Sequence, residues 1–473
     1  MNKIFINGEF IESNSNEFVD VINPATEEIL GSVVLGDEID VEKAIEGTIK
    51  AQRAWEKHTA SHRANIVKEL IPLMNNKKEL IAETYALEQG KTYKSALGEV
   101  ENSIKYIEYM TGFALKMEGE ILSSEVNNEL ILLTKKPVGV TSSIIPWNAT
   151  IYILMRKMIP ALVSGCFIVV KPSEETPLST FEIAKLIQKT NIPKGLVQII
   201  PGSGHCVGQL LSKHPKIDLV SLTGSTGAGK AVMQAASQTI KKVNLELGGK
   251  APVIVSKHAD IEVAVKYIVE ARIKNSGQVC TCPERIYVHE SIAESFISKL
   301  QERMEKLVVG DPFHAETDLG AIINIKQLDH IQDIVNNIVK EGARIILGGK
   351  KVDRKGYFFE PTTLVDVTDQ MNIMKEEIFG PVLPITTFKD FDEVIEKAND
   401  CVYGLSSYIF STNYKEIMRA TQELKFGEVY VNCEAAEAMN GYHAGWRQSG
   451  IGGADGKHGY EEYLNTTVSY LRY

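Results

Sequence analysis

Eleven residues, Asn275-Ser276-Gly277-Gln278-Val279-Cys280-Thr281-Cys282-Pro283-Glu284-Arg285, concentrate the chemistry of this chain. A free cysteine is among the most often buried residue types and usually behaves as a small hydrophobe. Two features favour a nucleophile at Cys280. The Gly277-Gln278 step frees backbone for close approach to a ligand, and the neighbours are polar rather than apolar. Cys280 with Cys282 gives a Cys-x-Cys spacing, but no second cysteine or histidine pair lies nearby to complete a tetrahedral set, so no metal is expected. Two glycine loops follow predicted strands: Gly202-Ser203-Gly204 to Gly208, and Gly224-Ser225-Thr226-Gly227-Ala228-Gly229. Neither matches G-x-G-x-x-G. The second closes a strand and opens a helix whose free N–H groups can hold a phosphate.

The cysteine is one of five ordered motifs. The others are Pro146-Trp147-Asn148, Lys171-Pro172-Ser173-Glu174, Leu245-Glu246-Leu247-Gly248-Gly249-Lys250 and Glu376-Glu377-Ile378-Phe379-Gly380-Pro381. Together they resemble the NAD(P)-dependent aldehyde dehydrogenase superfamily over essentially the whole chain. The resemblance implies that Cys280 attacks an aldehyde carbon and that the Asn148 amide and the Cys280 N–H hold the oxyanion. It also implies that Glu246 activates the water that hydrolyses the resulting thioester. Without the motif, Glu246 reads as a solvated acid beside a Gly-Gly turn. Cofactor contacts implied by the resemblance fall on Pro146, Trp147, Lys171, Ser173, Glu174, Gly224, Ser225, Gly229, Leu247, Glu377 and Phe379. Lys171 and Glu174 would meet the adenine ribose, Ser225 the pyrophosphate, and Glu377 with Phe379 the nicotinamide end. A carboxylate at Glu174 accepts from ribose hydroxyls and repels a 2′-phosphate, which favours NAD over NADP. Otherwise Lys171 and Glu174 read as an exposed ion pair on a loop.

One departure concerns the pocket entrance: the family often continues Pro-Trp-Asn with an aromatic residue and a proline, where this chain has Ala149-Thr150. The segments Glu437 to Arg447 and Gly452 to Gly459 resemble the family's lactaldehyde and glycolaldehyde group. This implies a small hydroxyaldehyde substrate, with Arg156, Glu437 and His443 lining its mouth. Arg156 lies eight positions after Asn148, about two turns on if both share a helix. Three alternatives stay open: a succinate-semialdehyde dehydrogenase, a CoA-acylating branch that has no need of Glu246, and an inactive nucleotide-binding or structural homologue.

The elements that must position these residues follow from length and pattern. A chain of 473 residues with 44% apolar content divides into roughly two or three domains at about 150 residues each. Net charge is −10 with both signs scattered, which provides no basic field for nucleic acid or an anionic membrane. No segment reaches the ~18 apolar residues of a spanning helix, and the N-terminus from Met1 alternates like a strand rather than a signal peptide. Six dispersed cysteines suit a reducing cytoplasm.

After the Asn7-Gly8 hairpin signal, Val41, Ala44, Ile45, Thr48 and Trp55 fall on one helical stripe. Helical patterns continue at 64–74, 78–87 and 100–115. From residue 138 the pattern alternates strand and helix, and a second such series starts near Ala251, which predicts doubly wound parallel sheets. The expected fold is α/β and aldehyde dehydrogenase-like, with two doubly wound domains. Residues 1–118 and 139–247 form the Rossmann-like NAD-binding domain and 248–452 the catalytic domain. Residues 119–138 and 453–473 form a small β oligomerisation ribbon. The stretches 130–137 and 463–473 read as apolar edge strands, so a homodimer or homotetramer is expected.

Overall fold

A computed structural model describes residues 3–473; Met1 and Asn2, where the N-terminal strand pattern begins, lie outside the described residues. Its first sheet runs in the order Gly450–Ile451, Lys242–Glu246, Leu219–Thr223, Val140–Ile144, Phe167–Lys171, Val197–Ile199, Lys3–Ile6, Glu9–Glu12. The five strands from Lys242–Glu246 to Val197–Ile199 are mutually parallel and buried on both faces. That burial is why they read as continuous apolar runs such as Phe167-Ile168-Val169-Val170. The last two strands form the hairpin signalled by Asn7-Gly8, with Ile6 opposite Glu9.

The chain winds outward from Val140–Ile144 in one direction, then returns to place Leu219–Thr223 on the other side of it. This reversal opens a crevice at the carboxyl ends of these two strands. Pro146-Trp147-Asn148 and Gly224-Ser225 follow those two ends.

The second sheet is ordered Arg344–Leu347, Thr362–Val365, Val382–Phe388, Pro283–His289, Ala251–Val255, Ser406–Phe410, Glu428–Val431. All but the first strand are parallel to their neighbours. Two hydrophobic clusters cover its two faces, and a third, larger one surrounds the first sheet. The segment Leu247–Lys250 leads directly from Lys242–Glu246 into Ala251–Val255, so carboxyl ends of the first sheet meet amino ends of the second.

Helix Glu38–Trp55 buries Val41, Ala44, Ile45, Thr48 and Trp55, the predicted stripe. The pattern at 64–74 resolves into two helices, Ala60–Lys68 and Leu70–Asn75, joined at Glu69. Helix Thr150–Ser164 is buried on nearly every face and still carries Arg156 and Lys157. Two adjacent cations in such a helix require anions around them.

The edge-strand reading of residues 130–137 is corrected. Strand Glu129–Pro137 lies in the middle of a three-stranded sheet, between Leu464–Arg472 and Glu120–Leu122. The C-terminal strand pairs along its whole length, from Leu464 opposite Pro137 to Arg472 opposite Glu129, and removes that edge. The tail itself is the edge, with Val468, Tyr470 and Leu471 exposed. No helix among the described residues is long and apolar enough to cross a membrane.

Candidate active site

Cys280 is presented by a sharp reversal. Helix Ile261–Ile273 ends, and Asn275, Ser276 and Gly277 take positive φ values of 49°, 54° and 79°. Gly277 is required there, because a Cβ would stand 2.3 Å from the Gly380 carbonyl oxygen. The Cys280 turn therefore packs directly on the loop that carries Glu377 and Phe379. The buried Gln278 side chain pins the turn, donating to Asn275 O and accepting from Ile323 N. Ser406 Oγ and Tyr408 OH both donate to Thr281 O on the far side of Cys280. Asn148, on the turn before helix Thr150–Ser164 rather than on the helix, donates from Nδ2 to Gln278 O at 3.0 Å. Its own carbonyl accepts from Asn275 Nδ2 and Lys91 Nζ. One amide hydrogen of Asn148 is thus spent on holding the turn, and the second can serve a ligand.

Of these groups Lys91, Asn148, Asn275 and Cys280 line one cavity of about 820 Å³, together with Pro146, Trp147, Arg156, Gly224, Ser225, Glu246, Leu247, Glu377, Phe379 and Glu437. Lys171, Ser173, Glu174, Gly229 and His443 do not line it. Gly229 instead lets helix Thr226–Ala236 close onto Leu247, whose Cδ1 would be 2.5 Å from a Cβ at that position. Lys171 and Glu174 stand one strand along from Pro146, at the end of Phe167–Lys171. Their pairing differs from the exposed pair expected: Lys171 is buried and donates to Glu174, Pro172 O and Gly202 O, while Glu174 remains half-exposed.

Ser225 caps helix Thr226–Ala236 by accepting from Ala228 N, and the helix start opens into the cavity. A Cβ at Gly227 would meet nothing nearer than Ser225 Oγ at 3.9 Å, so the first turn has room for a phosphate. At the other end, Trp147 and Phe379 meet edge to face at 5.5 Å. Glu377 accepts from Gly249 N at 2.9 Å. Burial, reinforced by the nearby Glu284 carboxylate, pushes Glu377 up to about 7.

Electrostatics organise the third wall. Glu246 is buried, not solvated as its neighbours suggest. Lys157 Nζ donates to it at 3.0 Å, Thr223 Oγ1 at 3.3 Å, and Arg156 Nη1 lies 3.8 Å away. Burial opposes its charge, but Lys157, Arg156 and His443 hold it below the ordinary carboxylate range. Arg156 is clamped by Asp455 through Nε to Oδ1 at 3.1 Å and Nη2 to Oδ2 at 2.6 Å, and it also donates to Glu437 at 2.8 Å. Burial works against the Cys280 thiol, raising it above its usual value, and hydrogen bonding to His443 pulls it back. Cys282 is fully enclosed, accepts from Arg272, and is pushed up to about 12 by burial. Of the two cysteines, only Cys280 faces the cavity. No cluster of three or more His, Cys, Asp or Glu among the described residues is arranged for a metal ion.

Three residues of this constellation receive no role in the sequence reading: Lys157, Asp455 and Glu284. Lys157 has a signal, a second cation in an apolar helix, whereas Asp455 lies in a glycine-rich segment read for its resemblance and not for a partner. Glu284 accepts from Lys250, Arg272 and the backbone N–H groups of Ile378 and Phe379. It ties the Cys280 strand to the Glu377 loop.

A model of the aldehyde dehydrogenase family matches residues 10–468. The chain is 44% identical to lactaldehyde dehydrogenase of Escherichia coli strain K12, covering 99% of this chain and 98% of that protein. It is 40% identical to a 3,6-anhydro-alpha-L-galactose dehydrogenase of Vibrio sp. strain EJY3, covering 100% and 99%. A crystal structure of lactaldehyde dehydrogenase from Escherichia coli matches with a TM-score of 0.98 at 44% identity, covering 100% of this chain and 99% of that one.

Proposed function

Because the chain belongs to the aldehyde dehydrogenase family, we propose that it oxidises a short hydroxyaldehyde, such as lactaldehyde or glycolaldehyde, to the acid with NAD. Cys280 Sγ adds to the aldehyde carbon, and the π electrons move to oxygen. The free Asn148 N–H and the Cys280 backbone N–H hold that oxyanion, a contribution of about 3–4 kcal/mol per donor. A bound nicotinamide would supply the hydride acceptor that this carbon needs. Glu246 takes a proton from water, which then attacks the thioester and releases the acid and the thiolate. The helix start at Ser225 would hold the pyrophosphate, Glu377 and Phe379 the nicotinamide end, and Lys171 with Glu174 the adenine ribose. Pro146, Trp147, Ser173, Gly224, Gly229 and Leu247 shape the rest of that groove. Half-exposed Glu174 disfavours a 2′-phosphate.

The ring of carboxylates around Arg156 carries the substrate reading. Its guanidinium already faces Asp455, Glu437 and Glu246. A succinate-semialdehyde carboxylate would meet three anions and an occupied cation. Glu437, by contrast, reaches the cavity with a side chain that can accept from a 2-hydroxyl. Propanal would forgo that hydrogen bond to a charged acceptor, worth about 1–3 kcal/mol, roughly ten- to a hundredfold in kcat/KM. Steady-state rates with lactaldehyde, glycolaldehyde, propanal and succinate semialdehyde test this. Propanal equal to lactaldehyde removes the hydroxyl argument, and succinate semialdehyde ahead of both makes Arg156 a carboxylate clamp.

A further inference from the structure

His443 stands behind the nucleophile rather than in the pocket. Its backbone is bridged in both directions to Ala454 at 2.9 Å, and its ring is buried. Nδ1 lies 3.0 Å from Glu428 Oε1 and 3.8 Å from Glu437 Oε2. Glu428 is itself fixed by the Tyr430 hydroxyl, which donates to Oε2 at 2.8 Å. The ring also acts on the Cys280 side chain, drawing the thiol down while the thiol draws the imidazole up. With Nδ1 engaged by Glu428, Nε2 is the nitrogen left to serve the thiol. We propose that His443 is a catalytic residue, a buried imidazolium held by Glu428 and Glu437 that donates to Cys280 Sγ and stabilises its thiolate. The proposal rests on Cys280 being the nucleophile and gives His443 a role beyond holding substrate.

The surrounding charges support it. Burial disfavours a charged ring, yet the Glu437 and Glu428 carboxylates hold His443 well above the usual imidazole range. Glu246 and Asp455 also feel its charge, and Arg156 faces it through Glu437. Around Cys280 the other charged neighbours are Glu437 and Glu377, both anions, which disfavour a thiolate. His443 is the cation that offsets them. In the reaction the S–H bond breaks and its proton leaves to cavity water. The S–C bond forms as the carbonyl pair moves to oxygen, and His443 keeps its proton. On hydrolysis the C–S bond breaks and the sulfur returns as a thiolate to the same imidazolium.

The test is alkylation of Cys280 by iodoacetamide against pH, on the full chain without aldehyde or NAD. Following the Cys280 peptide by mass spectrometry sets aside exposed Cys206. His443→Gln is expected to raise the midpoint by about one pH unit and slow alkylation about tenfold at neutral pH. Glu428→Gln keeps the ring, removes its carboxylate, and shifts the midpoint the same way by less. Should His443→Gln not fold, the Glu428→Gln shift decides alone. Midpoints unchanged from the parent chain overturn the proposal, and a His443→Gln variant altered only in aldehyde KM makes the residue a substrate holder. If alkylated Cys280 still supports full turnover, the nucleophile reading fails instead.

Discussion

Replacing Glu246 by glutamine separates the two halves of the proposed reaction. The carboxylate contacts Lys157, Thr223 and Arg156 and is held below its ordinary range, so it is ionised at neutral pH but is a weak base. General bases contribute about 10²–10⁴. A base weakened by two cations belongs at the lower end, so the variant should turn over about a hundredfold more slowly, near 3 kcal/mol. Formation of the thioester does not use this group. Mixing enzyme, NAD and lactaldehyde should therefore release about one NADH per active site in a burst, followed by the slow phase. Mass spectrometry should find the acyl group on the Cys280 peptide. The substitution also strands Lys157, whose remaining partner is Ser221 Oγ at 2.8 Å. Breaking a buried pair from one side costs about 3–5 kcal/mol. Lys157 already lies below the ordinary lysine range through burial, so it can shed its proton. Folding then favours the neutral amine, and the stability loss should shrink as pH rises. Normal steady-state turnover would refute the base assignment. Slow turnover without a burst would place Glu246 before thioester formation.

Cys280→Ala should abolish turnover and leave NAD binding near normal, whereas Cys282→Ala should stay active, because its Arg272 partner keeps Glu284 and Pro283 O; equal loss in both sinks the distinction. Glu377 titrates near 7, and its ionised form is the better acceptor for ribose hydroxyls. NAD affinity should therefore weaken about tenfold as pH falls through that value, a dependence that calorimetry should find missing in Glu377→Gln. Glu174→Gln should narrow the preference for NAD by removing charge repulsion at the 2′-position; a parent enzyme already faster with NADP contradicts the assignment. The exposed tail strand predicts a homodimer or homotetramer, and light scattering at micromolar concentration should give a multiple of the 52.4 kDa chain; a monomeric mass refutes it.

Patterns confined to one segment are legible in the amino-acid sequence alone. The alternation of strand and helix after residue 138 identifies parallel sheets because crossover strands are buried on both faces and lose their polar face. Cys280 stands out because the Gly277-Gln278 step frees backbone beside it and its neighbours are polar. The edge assignment at 130–137 fails for the opposite reason. Whether a strand is flanked on one side or two depends on a partner more than 300 residues away, and its own composition is the same in either case.

The charged wall of the pocket is the least legible part, for the same physical reason. Arg156 and Lys157 announce buried cations, but a sequence does not say which anions answer them. Asp455 reaches Arg156 across 299 positions, from a backbone at φ 69° and ψ 161° that residues other than glycine rarely adopt. This placement has a chemical consequence that the motifs alone do not carry. With Asp455 on Nε and Nη2 and Glu246 facing Nη1 at 3.8 Å, Arg156 is ringed by anions that repel a substrate carboxylate, and its charge keeps Glu437 and Glu246 ionised. The same guanidinium thus sets an acceptor for a substrate hydroxyl on one side and a base for water on the other. Substrate preference and thioester hydrolysis should therefore weaken together in Asp455→Asn, which keeps the side-chain shape and removes the charge that holds Arg156 in place. The ratio of kcat/KM for lactaldehyde over propanal and the rate of the slow phase after the NADH burst read the two effects separately, and a fall in one without the other would show that Arg156 does not couple them.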